Sequence, residues 1–487
     1  MKKLLKCCFS VVLAVAVVFS FTACKKKMSK TTVNTDNVKQ TNGVSTNGGI
    51  TAVHGDYLYF INGTKTNDGK SAVKNKRSAI CRVKYNVATG EVDKNTYEVV
   101  VDNLVGFANG SLEIFGDFLY FTTPSSEENY KGTVLNNKTS FMRYDLVNKK
   151  TYEIYTTKLN DSKEVISFEY YVTGDKLNLL VYETTNKTIT SINIDDKITT
   201  NYVISNVTSC LLSETNGKCA GTEIDANAYV YYTMGHEYGE ALQTGVKVFQ
   251  TSPDQNNSKK ISDAGKEVEL LCIRNGKLIY SVGGKIIYYS KITGLGTTEL
   301  AFNFDNILSY SSYENVVFVE NADGSVSLLT YDTKTYALAL FNWETSASID
   351  FHFIKTLSKA EKFEFVGLYT LEEVVIKDNP DTKDIDETNK DKVQYLFYIA
   401  DSTAYKIEIA RAVDINGELV LSEYTQPIKL SSTSVNPSDG LLIPEIIGNF
   451  MFVYAADKDK NVYLNKIDAS ITDSNDAKAA VEVLIKE

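Results

Sequence analysis

The chain has 487 residues, a formal charge of −10, and 43% apolar residues that include 31 tyrosines and 22 phenylalanines against one tryptophan and six prolines. An acidic balance of this size excludes a nucleic-acid partner, because phosphate binding relies on clustered lysine and arginine. Aromatic and β-branched residues suit half-buried pleated surfaces, so the apolar material predicts strands.

Residues 1–23 read as an export leader. Lys2, Lys3 and Lys6 precede a mostly apolar run over residues 7–21, which ends in Phe21-Thr22-Ala23-Cys24. Such a run falls short of the roughly 20 residues a helix needs to span the hydrocarbon core. Small residues before the cut suit a signal peptidase. These last four residues resemble the lipobox of bacterial lipoproteins, with Phe21 standing where leucine is usual. The resemblance implies that the Cys24 thiol is lipidated with acyl chains such as palmitate, that cleavage falls just before it, and that the chain sits on the extracytoplasmic face of a cell membrane. An uncleaved signal anchor and an ordinary secretory cut are the alternatives. Two or more acyl chains give stable anchoring. Lys25, Lys26 and Lys27 then lie at the headgroups, where each cation adds about 1 kcal/mol near an anionic surface. Losing Lys2, Lys3 and Lys6 takes the formal charge from −10 to −13. A body this acidic is repelled by an anionic bilayer, which leaves attachment to the lipid. Residues 24–48, from the lipidated cysteine onward, are polar and form a flexible tether.

From residue 49 to 487 one unit recurs. Gly55-Asp56-Tyr57-Leu58-Tyr59-Phe60 returns as Gly116-Asp117-Phe118-Leu119-Tyr120-Phe121. Weaker starts follow at Gly174-Asp175-Lys176-Leu177, Ala228-Tyr229-Val230-Tyr231-Tyr232 and Asn275-Gly276-Lys277-Leu278-Ile279-Tyr280. Three more stand at Asn315-Val316-Val317-Phe318-Val319, Val393-Gln394-Tyr395-Leu396-Phe397-Tyr398 and Gly448-Asn449-Phe450-Met451-Phe452-Val453. Each start opens a meander, with a second strand such as Arg82-Val83-Lys84-Tyr85-Asn86 or Met142-Arg143-Tyr144-Asp145, a polar turn, and a third strand. Asn, Asp and Gly favour those turns. In Tyr57-Leu58-Tyr59-Phe60-Ile61 both alternating sets are apolar, as in a strand covered on both faces. Starts about 40 to 60 residues apart with about four strands each are the signature of propeller blades. The expectation is therefore all-β: a single β-propeller of seven or eight four-stranded blades, eight favoured. Residues 377–392, rich in Asp and Lys, read as a surface loop within one blade. The tail over residues 474–485 is a helix or a closing strand, the latter a participant in the strand exchange by which propellers often complete the last blade.

The chain resembles bacterial lipoprotein propellers whose blades carry a Gly-Asp-aromatic-Leu-Tyr-Phe strand and a later Tyr-Asp strand, akin to the YWTD propellers of low-density-lipoprotein receptors. The match is good over the first two blades, and the family's tryptophans are missing. The resemblance implies fold rather than activity, since fold does not imply function.

Candidate sites are few. Asp457, Asp459 and Asn461, with Asn465 and Asp468, supply oxygens at positions 1, 3, 5, 9 and 12 of a calcium loop. That loop needs glycine at its sixth position for a sharp turn, and Val462 stands there. A hairpin is the simpler reading, and calcium at that loop is the one cofactor the sequence suggests. His236-Glu237 lacks the second histidine, four residues on, of a zinc helix, because Glu240 holds that place. With His54, His236 and His352 alone and no Gly-x-Ser-x-Gly elbow, a nucleophilic triad is poorly supplied. Cys81 and Cys272 sit in apolar runs as small hydrophobes. Cys210 and Cys219 flank a turn at Asn216-Gly217 and either bridge or stay apart. No catalytic residue is identified. The leading expectation is a membrane-anchored module that binds or scaffolds a protein or glycan partner. The alternative is a carbohydrate-active enzyme using paired carboxylates at the propeller axis, about 5 to 10 Å apart.

Overall fold

The computed structural model describes the strands and many turns between Thr51 and Glu482. Residues 1–50, 483–487 and the longer connections, among them 63–78, 103–111, 125–137, 213–229, 235–246, 301–315, 375–389 and 457–461, lie outside the described residues. The described residues form eight antiparallel sheets, each built from consecutive strands in chain order. Sheet 7 gains a fifth strand, Ile428–Lys429, beside its third. The first strands of the eight sheets are Thr51–His54, Glu113–Phe115, Ile166–Thr173, Val207–Leu211, Val268–Arg274, Val316–Glu320, Phe363–Val374 and Glu445–Ile447. First strands of neighbouring sheets touch one another, sheet 1 with 2 and sheets 4 to 7 in turn, so these strands face a common hub.

The cores lie between sheets, which is where the doubly apolar strands put them. In sheet 2, Leu119 and Phe121 join a cluster with sheet 1, while Phe118 and Tyr120 on the other face pack on sheet 3. In sheet 7, Tyr395 and Phe397 pack toward sheet 8, while Leu396 and Tyr398 pack toward sheet 6. Sheet 8 in turn buries Met451 and Val453 against sheet 7, and Phe452 and Tyr454 against sheet 1. Each such side chain contributes about 1.5 to 3 kcal/mol by leaving water. Because the last sheet shares a core with the first, the sheets close a ring: the fold is a β-propeller.

Two expectations are corrected. In seven of the sheets the aromatic strand that marks each repeat is the second strand, not the first; in sheet 6 the start at Val316 is the first strand, and its second is Val326–Tyr331. In sheets 1, 2 and 8 the first strand has only four, three and three residues, so there the second carries the stronger apolar pattern. Among the described residues the tail pairs with its own sheet rather than exchanging a strand: a 3₁₀ turn, Ser474–Asp476, leads to Val481–Glu482, which pairs with Val462–Asp468, while Lys478 bridges to Ser431 after the fifth strand of sheet 7. Among the described residues, sheet 8 is tied to sheet 1 through side chains. Tyr454 donates to the Ile61 carbonyl, and the Lys466 ammonium donates to the Gly90 carbonyl. Gly90, at φ 68°, lies against the Phe450 ring, where a methyl group has no room. Among the described residues no helix is long and apolar enough to cross a membrane.

Candidate functional site

Three hub turns share one construction. Gly55, Gly116 and Gly448 have φ near 56°. The flanking pairs are His54↔Tyr57, Phe115↔Phe118 and Ile447↔Phe450, so each loop has two residues with glycine first. Positive φ at the first loop residue is the II′ pattern that matches strand twist. The turn sets the register of the hub strand, and three residues before the glycine stand Ala52, Glu113 and Glu445, opposite Tyr59, Tyr120 and Phe452. Both carboxylates are almost enclosed, at 6% and 5% exposure.

Their surroundings differ. Glu445 Oε2 accepts the Thr51 backbone N–H at 2.9 Å and its hydroxyl at 2.8 Å, tying the hub strand of sheet 8 to that of sheet 1. For Glu113 the charge that acts is Glu169, half-buried on the hub strand of sheet 3. Burial pushes the Glu113 carboxyl well above the usual carboxylate range, and the Glu169 charge adds to that. On that strand Tyr170 is 3% exposed, and its hydroxyl has no hydrogen-bond partner among the described residues. Its ring lies 5.1 Å from that of Tyr120. Burial raises the Tyr170 hydroxyl, with Glu113 the first of the neighbouring charges to act on it. The hub strands of sheets 8, 1, 2 and 3 carry no lysine or arginine. Their one basic side chain, His54, is lowered by burial and so favours its neutral form. This arc of the hub is acidic, and it can hold a proton or accept a cation.

Sheet 7 holds a linked group of charges, on the face toward sheet 8. Lys406 is fully buried, 3.6 Å from Glu373 Oε1 and 4.0 Å from the centre of the Tyr395 ring. Tyr395 donates to the same Glu373 oxygen. Arg411 bonds Glu373 Oε2 at 3.2 Å and grips Glu408 at 3.0 and 2.7 Å. Ser422 donates to Glu408 at 2.5 Å. Burial lowers the Lys406 ammonium to about 8. The Arg411 pair holds Glu408 below the usual carboxylate range against the upward effect of its own burial. Two cations and two anions, fixed to one another, make a structural brace.

Cys24 lies outside the described residues, as do Asp457, Asp459, Asn461, His236 and Cys219. Residues 457–461 connect two paired strands, Ala456 facing Val462. Asp468 stands at the far end of the second, six residues and about 20 Å along an extended strand. It accepts the Ser470 N–H and hydroxyl there. Asn465 donates to the Tyr463 carbonyl. His54 and His352 lie on sheets 1 and 6. Cys81 is buried 2.8 Å from the Tyr97 hydroxyl, and burial pushes its thiol up to about 12, leaving it unreactive. Cys210 is a free thiol on sheet 4. The acidic loop joins Val374 to Lys390, paired strands of sheet 7, as expected of a loop within one blade.

Sequence reasoning missed Glu113, Glu445 and the sheet 7 brace. The signal for the first two was Glu-Ile-aromatic or aliphatic-Gly-Asp/Asn, present as Glu113 to Asp117 and Glu445 to Asn449. Nothing local marks the brace, whose members come from three strands and from Ser422, just after a fourth.

No protein-family profile matches the chain, and no curated protein does. Solved structures with a similar course of chain are propellers. BamB from Moraxella catarrhalis shares 11% identity over 91% of this chain and 96% of its own, at a TM-score of 0.37. The WD40 domain of SCAP from fission yeast shares 8% over 85% and 90%, at 0.37. The β-propeller domain of the Trilobed protease from Pyrococcus furiosus shares 10% over 92% and 100%, at 0.33. Identities this low concern fold alone, and the chain is a β-propeller protein on the strength of its own sheets.

Proposed function

We propose that the protein is a bacterial lipoprotein: an eight-bladed propeller tethered through lipidated Cys24 to the extracytoplasmic face of a cell membrane, where it binds or scaffolds a protein or glycan. The observation that carries the binding part is where the shifted charges sit. Glycosidic chemistry needs an acid and a base that a sugar can reach. Glu113 is covered by packed side chains, and the charges of sheet 7 neutralise one another. A groove of about 520 Å³ on sheet 7 is open instead, lined by Lys359, Glu361, Lys362, Asp401 and Ser402. Anchoring is supported by the leader and the polar tether. The test is fractionation of cells expressing the full chain beside Cys24→Ser. The wild type is expected in the membrane fraction with residues 1–23 removed and an acylated N-terminal cysteine, and the variant unacylated with its leader uncut. A wild-type chain that retains residues 1–23 would overturn anchoring by lipid.

One observation favours the second reading, a carbohydrate-active enzyme: burial, with the Glu169 charge, raises the Glu113 carboxyl, the direction expected of an acid with a neighbouring base. That reading expects cleavage of envelope glycans that Glu113→Gln abolishes.

A further inference from the structure

The chain carries seven Asn-x-Ser/Thr triplets, the acceptor signal for N-linked sugar on exported proteins. Three of them lie wholly among the described residues, at Asn186, Asn206 and Asn256. The fold occupies the first two. Asn186 donates its amide to Glu183 Oε2 at 2.8 Å, and Thr188 is buried on a strand of sheet 3. Asn206 stands at φ 64°, its neighbour Val207 is fully buried, and the Thr208 hydroxyl lies 2.7 Å from that of Thr233.

Asn256 is held differently. It sits in the turn between the third and fourth strands of sheet 4, Lys247–Thr251 and Lys259–Ser262, where Asn256, Asn257 and Ser258 are all exposed. Asn257 pins the turn to the strand end. Its Oδ1 accepts the Ser252 N–H at 2.8 Å, and its Nδ2 donates to the Ser252 hydroxyl at 2.8 Å. The two outer side chains are left to each other: the Ser258 hydroxyl donates to Asn256 Oδ1 at 2.6 Å. Among the described residues no acceptor takes up the Asn256 Nδ2.

We propose that Asn256 is N-glycosylated, with a lipid-linked glycosyl diphosphate as donor and an envelope glycosyltransferase as the enzyme. An amide nitrogen is a weak nucleophile because its lone pair is delocalised onto oxygen. The Ser258 hydroxyl on Oδ1 stabilises the charge that oxygen takes up as Nδ2 gives a proton to a base of the enzyme. Nδ2 then bonds the anomeric carbon of the sugar, and the bond from that carbon to the diphosphate oxygen breaks, its electron pair leaving with the lipid diphosphate. An exposed turn can enter an enzyme's cleft where a buried strand cannot. Asp254, two residues before Asn256, is the one acidic residue at that place among the seven triplets, and gives the enzyme a charge by which to select this turn. The inference rests on the export part of the reading above, because the acceptor signal acts on exported chains.

The test is mass spectrometry of the full chain purified from the envelope of its native host and cut with trypsin. The peptide spanning residues 248–259 carries Asn256 and no other triplet. It is expected to gain the mass of one or more sugar residues, mapped to Asn256 by electron-transfer fragmentation. Asn256→Gln and Ser258→Ala should lose that mass and Ser258→Thr should keep it, all three with the wild-type circular dichroism spectrum. An unmodified Asn256, a sugar mapped to the Ser258 oxygen, or undiminished modification in Ser258→Ala overturns the inference. The N-terminus, read on the same samples, separates it from the anchoring claim. Bare Asn256 in a chain that begins at acylated Cys24 removes the glycan and leaves the anchor standing; sugar on Asn256 in a chain that retains residues 1–23 does the reverse.

Discussion

Sheet 7 and the hub arc of sheets 8, 1, 2 and 3 both bury ionisable groups, and they treat them in opposite ways. In the sheet 7 brace, Glu373, Lys406, Glu408 and Arg411 each have an opposite charge within hydrogen-bonding or ion-pairing range, and the four together are neutral. On the arc, Glu445 is satisfied by two donors while Glu113 faces a like charge. Burying a charge is costly unless it is paired and bonded. The first region therefore braces the fold, whereas Glu113 is buried beside a like charge at a cost to stability.

The largest effect should come from breaking the brace. Glu373→Ala strands Lys406 as an unpaired buried cation and should lower unfolding free energy by about 3 to 5 kcal/mol in urea titrations. Replacing the pair together, Glu373→Leu with Lys406→Met, should recover most of that loss. On the arc, Glu445→Leu leaves the Thr51 N–H and hydroxyl without their acceptor and should cost about 2 kcal/mol by the same measurement. Gly90→Ala should cost about the same, because φ 68° disfavours a side chain and Phe450 occupies its place.

The two regions should also answer pH with opposite slopes. Folded Lys406 releases its proton near 8 against an ordinary 10.5, so between those values the unfolded chain binds more protons and stability rises with pH. Folded Glu113 keeps its proton above the ordinary 4.5, so stability falls as pH rises past that value. Thermal midpoints across pH should lose the first slope in Lys406→Met and the second in Glu113→Gln. The smallest effect belongs to an outlying pair: Glu98→Gln removes a partly exposed bridge to Arg82 and should cost under about 1 kcal/mol.

Much of this fold was legible. Tyr57 to Ile61 and Phe118 to Phe121 have apolar residues at every position because each sheet lies between two others, and that pattern survives in sequence. The repeat starts were offset by one strand because hub strands such as Glu113–Phe115 are too short to show a period. Glu113 was illegible as a site because its meaning comes from Glu169 and Tyr170, more than fifty residues on. The brace was hidden for a similar reason: Glu373, Tyr395, Arg411 and Ser422 meet only through strand pairing.

The central contrast, charges paired into a brace against a buried carboxylate left beside a like charge, is tested most directly by urea denaturation of Glu113→Gln at pH 8. The variant is expected to match the wild type or exceed it by about 1 kcal/mol, since an amide relieves a buried carboxylate. A loss comparable to that of Glu373→Ala would contradict the account and make Glu113 part of the frame.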